Sequence, residues 1–352
     1  MKLPKITPEI LKLISEIDEF KGAWRALKTL APERLAALRR TATIESIGSS
    51  TRIEGAKLSD KEVEVLLSRV GKHDFASRDE QEVAGYAEAM ELIFNSFESI
   101  PVSENHIKQL HKVILKFSTK DERHRGEYKK HPNDVRAYDA EGKQIGVIFE
   151  TTSPFDTPRE MEELVSWTKE QFDAGELHPL IVIGVFVVRF LAVHPFQDGN
   201  GRVSRVLTTL LLLQHGYSYV PYSSLESIVE ENKDSYYLAL RRTQGSFKEE
   251  TPDWEPWLLF FLRSLQRQKV RLQQRIEQET TLFSKLPPLS VAILELVAQR
   301  GRITTKDIIE ATGESRSTIK NRLNELMELG HLTRIGKGRG TSYSRNGGAA
   351  LG

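Results

Sequence analysis

Apolar residues recur along this chain mostly at helical spacing. Ile10, Leu11, Leu13, Ile14 and Ile17 form one stripe, Leu35, Leu38, Ile44 and Ile47 a second, and Val63, Val65, Leu66 and Leu67 a third. Further helices are predicted over Glu82–Phe94, Glu104–Phe117 and Pro158–Ala174. For the last, Thr157 is the expected N-cap, with Pro158 at the first helical position and Glu160 closing a capping box. One segment departs from this period. Val135–Tyr138 and Gln144–Phe149 flank a polar loop, Asp139–Lys143, which contains Gly142 and has the form of a β-hairpin. Leu180–Val193 and Val206–Leu213, the latter closed by Gly216, are apolar nearly all round, as central helices of a core must be. The polar residues 194–205 lie between them.

Beyond Trp254 and Trp257 a polar helix is expected over Arg263–Gln278, followed by a proline linker, Lys285–Leu289. The remainder reads as helix (Leu289–Ala298), extended Ile303–Thr304, helix (Thr305–Ala311, closed by Gly313) and helix (Ser315–Leu329, Ser315 as N-cap). Leu332–Ile335 and Ser342–Tyr343 then flank the basic loop Gly336–Gly340. This order predicts a winged helix-turn-helix. The fold class expected is therefore mainly α, a helical core with a β-hairpin and a C-terminal winged helix-turn-helix domain. The expected partition is an N-terminal helical region 1–95, a core 96–265, a connecting helix and linker 266–286, a winged helix domain 287–346 and a tail 347–352.

Composition narrows the chemistry. With 352 residues, 39% hydrophobic and 28% charged, the chain is that of a folded protein of two or three domains. A net charge of +1 gives no global pull toward nucleic acid or membrane. Cysteine is absent, which excludes disulfides, thiolate metal sites and cysteine nucleophiles. The first twenty residues lack a signal-peptide core, and Leu180–Val193 falls short of the roughly 20 residues that span a bilayer. No membrane association is expected, and the expected location is cytoplasmic.

The loop reads His194-Pro-Phe-Gln-Asp-Gly-Asn-Gly-Arg-Val-Ser-Arg205. Gly199 and Gly201 open the following helix, leave its N–H groups uncovered and so form an anion site with the helix dipole. Asn200 can add a donor. Arg202 and Arg205 lie three apart on one helical face, and two guanidinium forks exceed what one monophosphate needs, so a polyphosphate is implied. Asp198 beside that site would repel the ligand unless a cation lay between, which suggests Mg²⁺. His194 has the side chain suited to remove a proton near neutral pH. The lysine-bearing phosphate loop, the protein-kinase loop and H-E-x-x-H are all absent, and His106 and His111 lack a carboxylate arranged for zinc.

At every fixed position this loop resembles the H-P-F-x-[D/E]-G-N-G-R-x-x-R signature of the Fic (filamentation induced by cAMP) family, and the resemblance extends over about Ile44–Phe261. It implies a protein adenylyltransferase that moves AMP from ATP to a protein hydroxyl. His194 would be the general base and Asp198 the Mg²⁺ ligand. Gly199, Asn200, Gly201, Arg202, Val203, Ser204 and Arg205 would bind ATP phosphates, and Phe196 would anchor the loop in the core. Asn232, Tyr236 and Tyr237 lie in a segment similar to the family's adenine and ribose pocket. The hairpin resembles the flap that pairs with an extended target peptide. Upstream, Ser50-Thr-Arg-Ile-Glu54-Gly55 matches the inhibitory pattern [S/T]-x-x-x-E-[G/N], which implies autoinhibition through a Glu54–Arg205 pair and self-modification when that pair is broken.

Other readings stay open at this point. Transfer of another nucleotide or of phosphate, or removal of AMP, would suit the same scaffold. A nucleotide-sensing transcription regulator would use the winged helix, where Arg316, Lys320 and Arg322 and the wing's Lys337 and Arg339 offer phosphate contacts. Glu314, Glu325 and Glu328 on the same helix oppose DNA, so DNA and a protein partner are both retained, as is a homodimer. The target protein is unspecified, with the chain itself one candidate. His106, His111, His124, His131 and His215 are read as surface or packing residues.

Overall fold

The computed structural model describes residues 3–26, 32–68, 75, 77–138, 144–284, 286–336 and 338–345. In chain order the helices and strands are α1 (Pro8–Ala26), α2 (Pro32–Ile53), α3 (Asp60–Leu67), α4 (Arg78–Ser96) and α5 (Glu104–Ile114), then the strands β1 (Val135–Tyr138) and β2 (Gln144–Phe149). They are followed by α6 (Thr157–Ala174), α7 (Pro179–Val193), α8 (Asn200–Gln214), α9 (Leu225–Glu231), α10 (Lys233–Gly245) and α11 (Glu255–Ser284). The chain ends with α12 (Pro288–Arg300), α13 (Thr305–Thr312), α14 (Arg316–Glu328), β3 (Leu332–Ile335) and β4 (Ser342–Arg345). The protein is thus mostly helical, as the apolar spacing predicts.

The chain forms two compact units, one made of Met1–Ala26 and Ala42–Lys269, the other of Leu27–Thr41 and Val270–Gly352. The boundary expected at 265/266 falls inside α11, which is a single helix from Glu255 to Ser284. No break in helical pattern separates its apolar first half from its polar second half.

In the first unit α7 and α8 are central. Along α7, from Leu180 to Val193, every residue but Arg189 and Ala192 is buried, and α8 is buried from Arg202 to Leu213. Helix α6 packs on α7, while α4 and α5 pack on α8. Burying aliphatic side chains at about 1.5–3 kcal/mol each is what fixes this pair at the centre. The hairpin is antiparallel, with Val135 opposite Phe149 and Tyr138 opposite Gln144, and α10 packs against β2. Its loop, Asp139–Lys143, lies outside the described residues.

Helix α6 starts differently from the expectation. Thr157 is the first helical residue, Asp156 takes the N-cap position without a side-chain cap, and the Thr157 hydroxyl donates to the Ser153 carbonyl. Glu160 accepts from the Thr152 hydroxyl instead of closing a capping box. Pro158 still sits in the first turn, where its missing N–H costs nothing.

The second unit has its own core of Ile293, Leu294, Val297, Ile303, Ile308, Ile319, Leu323, Leu326, Leu332 and Tyr343. Thr304 and Asp307 form a capping box on α13, Ser315 caps α14, and Ile303 bridges to Tyr343 of the β3–β4 hairpin. This is the helix–helix–helix–wing order read from sequence. Lys337 and residues 346–352 lie outside the described residues, and Arg339 is described in backbone only.

Candidate active site

The site is built at the junction of α7 and α8. Helix α7 ends on His194 in the left-handed conformation (φ 52°, ψ 57°), the one non-glycine residue at positive φ among those described. Such a conformation persists only where neighbours hold it. Here the Asn133 side-chain amide donates to the His194 carbonyl (3.1 Å) and the Phe196 carbonyl (2.6 Å). The Lys129 backbone N–H donates to the Pro195 carbonyl (2.8 Å). Its ammonium donates to the Val193 carbonyl (2.9 Å), Asn133 Oδ1 and Thr151 Oγ1, and burial lowers it to about 8.

With His194 Nδ1 directed at the Leu191 carbonyl (3.2 Å), the neutral tautomer that donates there carries its lone pair on Nε2. Burial pulls this imidazole down to about 4, against a smaller upward effect from that carbonyl and from Glu54 and Asp198. It is therefore unprotonated at neutral pH, the state a general base requires.

The other loop residues divide into supports and donors. Phe196 is fully buried and stacks on His111 at 3.8 Å between ring centroids. His111 accepts from the Gly126 N–H at Nδ1, so its Nε2–H donates to the Asp198 carbonyl (3.1 Å). Asn200 does not reach outward: its amide bonds the Phe196 N–H (2.9 Å) and carbonyl (2.7 Å), closing the loop on itself. Val203 is core, and the Ser204 hydroxyl donates to the Gly201 carbonyl.

Gly199 (φ 80°) is the N-cap of α8 and makes no side-chain cap, so the helix opens with uncovered N–H groups. Above them stands a carboxylate. A Cβ built on Gly201 would lie 2.1 Å from Glu54 Oε1, so glycine is required for the approach. Glu54 Oε1 accepts from Arg205 Nη2 at 2.7 Å, while Arg205 Nε donates to Ser50 Oγ (2.8 Å) and Nη2 also to the Ser50 carbonyl (3.0 Å). Burial would raise the Glu54 carboxyl, but the charge of Arg205 overcomes it and holds the group below the usual carboxylate range. Arg205 Nη1 and Arg202 Nε are buried with no hydrogen-bond partner among the described residues. Two spare guanidinium donors beside an uncapped helix are what a polyphosphate would use.

Arg202 is 1% exposed and pairs with Glu82 Oε2 and Asp198 Oδ1, each at 3.3 Å. Arg78 in turn bonds Glu82 at 2.7 Å and approaches Asp198 Oδ2 at 3.5 Å. Asp198 is thus already offset by two guanidinium groups, and charge repulsion alone does not demand a cation there. No cluster of three or more His, Cys, Asp or Glu that could hold a metal occurs among the described residues. The partly exposed Asp198 carboxylate nonetheless fits Mg²⁺, which needs only one or two carboxylates when phosphates and water complete its shell.

Of the outer candidates, Tyr236 and Tyr237 lie near Arg205. Tyr236 is buried against Trp257 and Phe260, and Tyr237 is exposed at the edge. Asn232 terminates α9, its amide donating to the Ile228 carbonyl and its carbonyl accepting from Arg267. Sequence reading missed Glu82, Lys129 and Asn133, and took His111 for packing, which is right for its ring and incomplete for its nitrogens. A polar residue on the apolar stripe Ile107, Leu110, Ile114 of an amphipathic helix was the available signal for His111.

Residues 101–212 match the family model described as Fic/DOC family, and residues 289–346 match the C-terminal domain of a transcriptional regulator termed DIP2311-like. Over 238 residues the chain is 27% identical to the protein adenylyltransferase Fic of Drosophila willistoni, covering 65% of this chain and 44% of that protein. The chain thus spans less than half the length of the curated relatives it matches. A crystal structure of a Fic family protein from Desulfovibrio desulfuricans has the same fold over 99% of both chains, with a TM-score of 0.64 and 22% identity. A Fic domain containing signaling protein from Bacteroides thetaiotaomicron aligns with a TM-score of 0.59 and 26% identity, over 81% of this chain and 97% of that one. Among the described residues, no helix is long and apolar enough to cross a membrane.

Proposed function

We propose that this chain, whose residues 101–212 match the Fic/DOC family model, is a protein adenylyltransferase held inactive by its own Glu54. His194 takes the proton from a target hydroxyl. The hydroxyl oxygen attacks the α-phosphorus of ATP, the bond to the β-phosphate oxygen breaks, and pyrophosphate leaves. Arg202, Arg205 and the open N–H groups of α8 orient the phosphates. Asp198 would hold Mg²⁺, which when bound neutralises charge on the phosphate chain.

The observation that carries this reading is the position of the Glu54 carboxylate: bonded to Arg205 and seated over Gly201, it stands where an anionic ligand of α8 would bind. A carboxylate there removes a phosphate ligand and adds like charge. Ser50 is part of the same lock through its hydroxyl and carbonyl on Arg205.

The test is labelling from α-³²P ATP. Glu54→Gly should raise AMP transfer, self-modification included, by roughly tenfold or more, since a charge-assisted hydrogen bond to Arg205 is lost. His194→Ala in that background should return it to baseline. An adduct of roughly 329 Da on the modified protein identifies the AMP moiety. Unchanged labelling in Glu54→Gly overturns the autoinhibition, and label arriving from γ-³²P ATP overturns AMP as the transferred group.

A second activity is favoured by the match of residues 289–346 to a transcriptional regulator's domain, with Arg316 and Lys320 exposed on α14. It is DNA binding by the winged helix. Retardation of duplex DNA by the full chain, lost in Arg316→Ala/Lys320→Ala, tests it.

A further inference from the structure

The first unit carries a second concavity, a groove of about 650 Å³ between α6, α7 and the loop after α10. Its floor is Trp254, Phe247 and Arg189, the guanidinium lying 4.8 Å from the Phe247 ring centroid and 3.7 Å from Glu160. Its rim carries four carboxylates, Glu163 and Glu170 from α6 and Glu249 and Glu250 beyond α10. Glu163 is paired with Arg159 at 2.8 Å and Glu170 accepts from the Ser166 hydroxyl, so both are held in place on the helix surface.

An acidic rim alone would be a solvated surface. The floor adds an independent feature. Trp254 is 4% exposed, and its indole N–H has no hydrogen-bond partner among the described residues; Arg189 Nε is in the same condition. An orphaned buried donor costs about 1–3 kcal/mol, and a buried tryptophan N–H normally finds an acceptor. Two donors on the floor call for carbonyl oxygens, and carboxylates on the rim call for cations. An extended polypeptide rich in Lys and Arg offers both at once. The groove also adjoins the hairpin. Lys248, between Phe247 and Glu249, pairs at 3.0 Å with Glu150, the residue that directly follows β2.

We propose that this groove docks a basic segment of the target protein beside the hydroxyl to be modified, its backbone carbonyls meeting Trp254 and Arg189 and its cationic side chains meeting the glutamate rim. The inference rests on the adenylyltransferase reading for the word target, but the groove's preference for a basic chain is measurable without any transfer.

The probe is a fluorescein-labelled peptide of about nine residues alternating Lys and Gly, with a Gln-for-Lys control, followed by anisotropy on the full chain. The Lys peptide should bind and the Gln peptide should not. Glu163→Gln/Glu249→Gln/Glu250→Gln should weaken binding at least roughly tenfold. Trp254→Phe, which keeps the ring and deletes the N–H, should weaken it by about fivefold. Glu310→Gln/Glu314→Gln/Glu328→Gln, an equal charge change in the other unit, should leave it unaltered. Equal loss in the two triple variants, or no binding of the Lys peptide, overturns the proposal. Displacement by spermidine at equal or lower concentration assigns the groove to a polyamine and overturns it too. His194→Ala should bind the peptide like the parent chain. If it does while Glu54→Gly transfers no AMP, the transfer reading fails and the groove stands.

Discussion

Helices α8 and α14 begin alike in sequence and differently in physics. Each follows a small residue, Gly199 or Ser315, and each carries basic side chains in its first turns. Ser315 accepts from the Thr318 N–H, so α14 satisfies part of its own start, and Arg316 and Lys320 stand in solvent. Gly199 caps nothing, and Arg202 and Arg205 are 1% and 7% exposed. A buried guanidinium must be paired or it costs several kcal/mol, so the fold has to supply Glu82, Asp198, Ser50 and Glu54. An exposed lysine makes no such demand. The uncapped, arginine-bearing start is therefore a site with defined partners, whereas the capped one is a charged surface open to many.

The largest effect that separates the two is on stability. Arg202→Ala would leave Glu82, itself nearly buried, with Arg78 as its remaining cation, at a cost of about 3–5 kcal/mol. Arg316→Ala removes a solvent-exposed charge and should change stability by no more than about 0.5 kcal/mol. Urea unfolding of the two variants decides the matter. Equal midpoints would mean that the buried network around Arg202 is not what holds the start of α8.

How much of this was legible follows from where the partners lie in the chain. The central helices were readable because Leu180–Val193 and Val206–Leu213 are apolar nearly all round, and the candidate loop because its polar residues are contiguous. Glu54 was reachable only through a short pattern upstream, since nothing local to it names Arg205, 151 positions away. Glu82 carried no such pattern. It resembles Glu80 in every local respect, and only the packing of α4 on α8 buries one and not the other. Lys129 was hidden for the same reason: it lies in a basic, turn-rich stretch that reads as surface, and its burial comes from the loop folding over it. The start of α6 was misread by one residue because Ser153, Asp156 and Thr157 are all capping types and sequence does not say which one closes the turn.

A smaller contrast concerns protons. The imidazole ahead of α8 is held near 4 by burial, so His194, the proposed base, stays unprotonated as the medium is acidified. For a base, activity is present above its pKa and lost as pH falls through it. In Glu54→Gly, kcat/KM for AMP transfer should therefore keep its plateau through pH 6 and fall only toward about pH 4. Removal of the Glu54 charge acts in the same direction, because that charge raises His194. A half-maximal point near the ordinary histidine value of 6.5 would show that the site is wetter in turnover than the structure implies.

The smallest effect tests the capped end. Ser315 Oγ accepts from the Thr318 N–H at 3.2 Å, so Ser315→Ala should cost about 1 kcal/mol, the usual worth of an N-cap. That loss should appear in the melting of the second unit and leave AMP transfer by Glu54→Gly where it was. If α14 instead behaved like α8, with its start awaiting a ligand, the truncation would be neutral in the free chain and would change only with DNA present. A neutral result for Ser315→Ala without DNA would thus dissolve the distinction between the two helices, since both would then have to be read as binding sites.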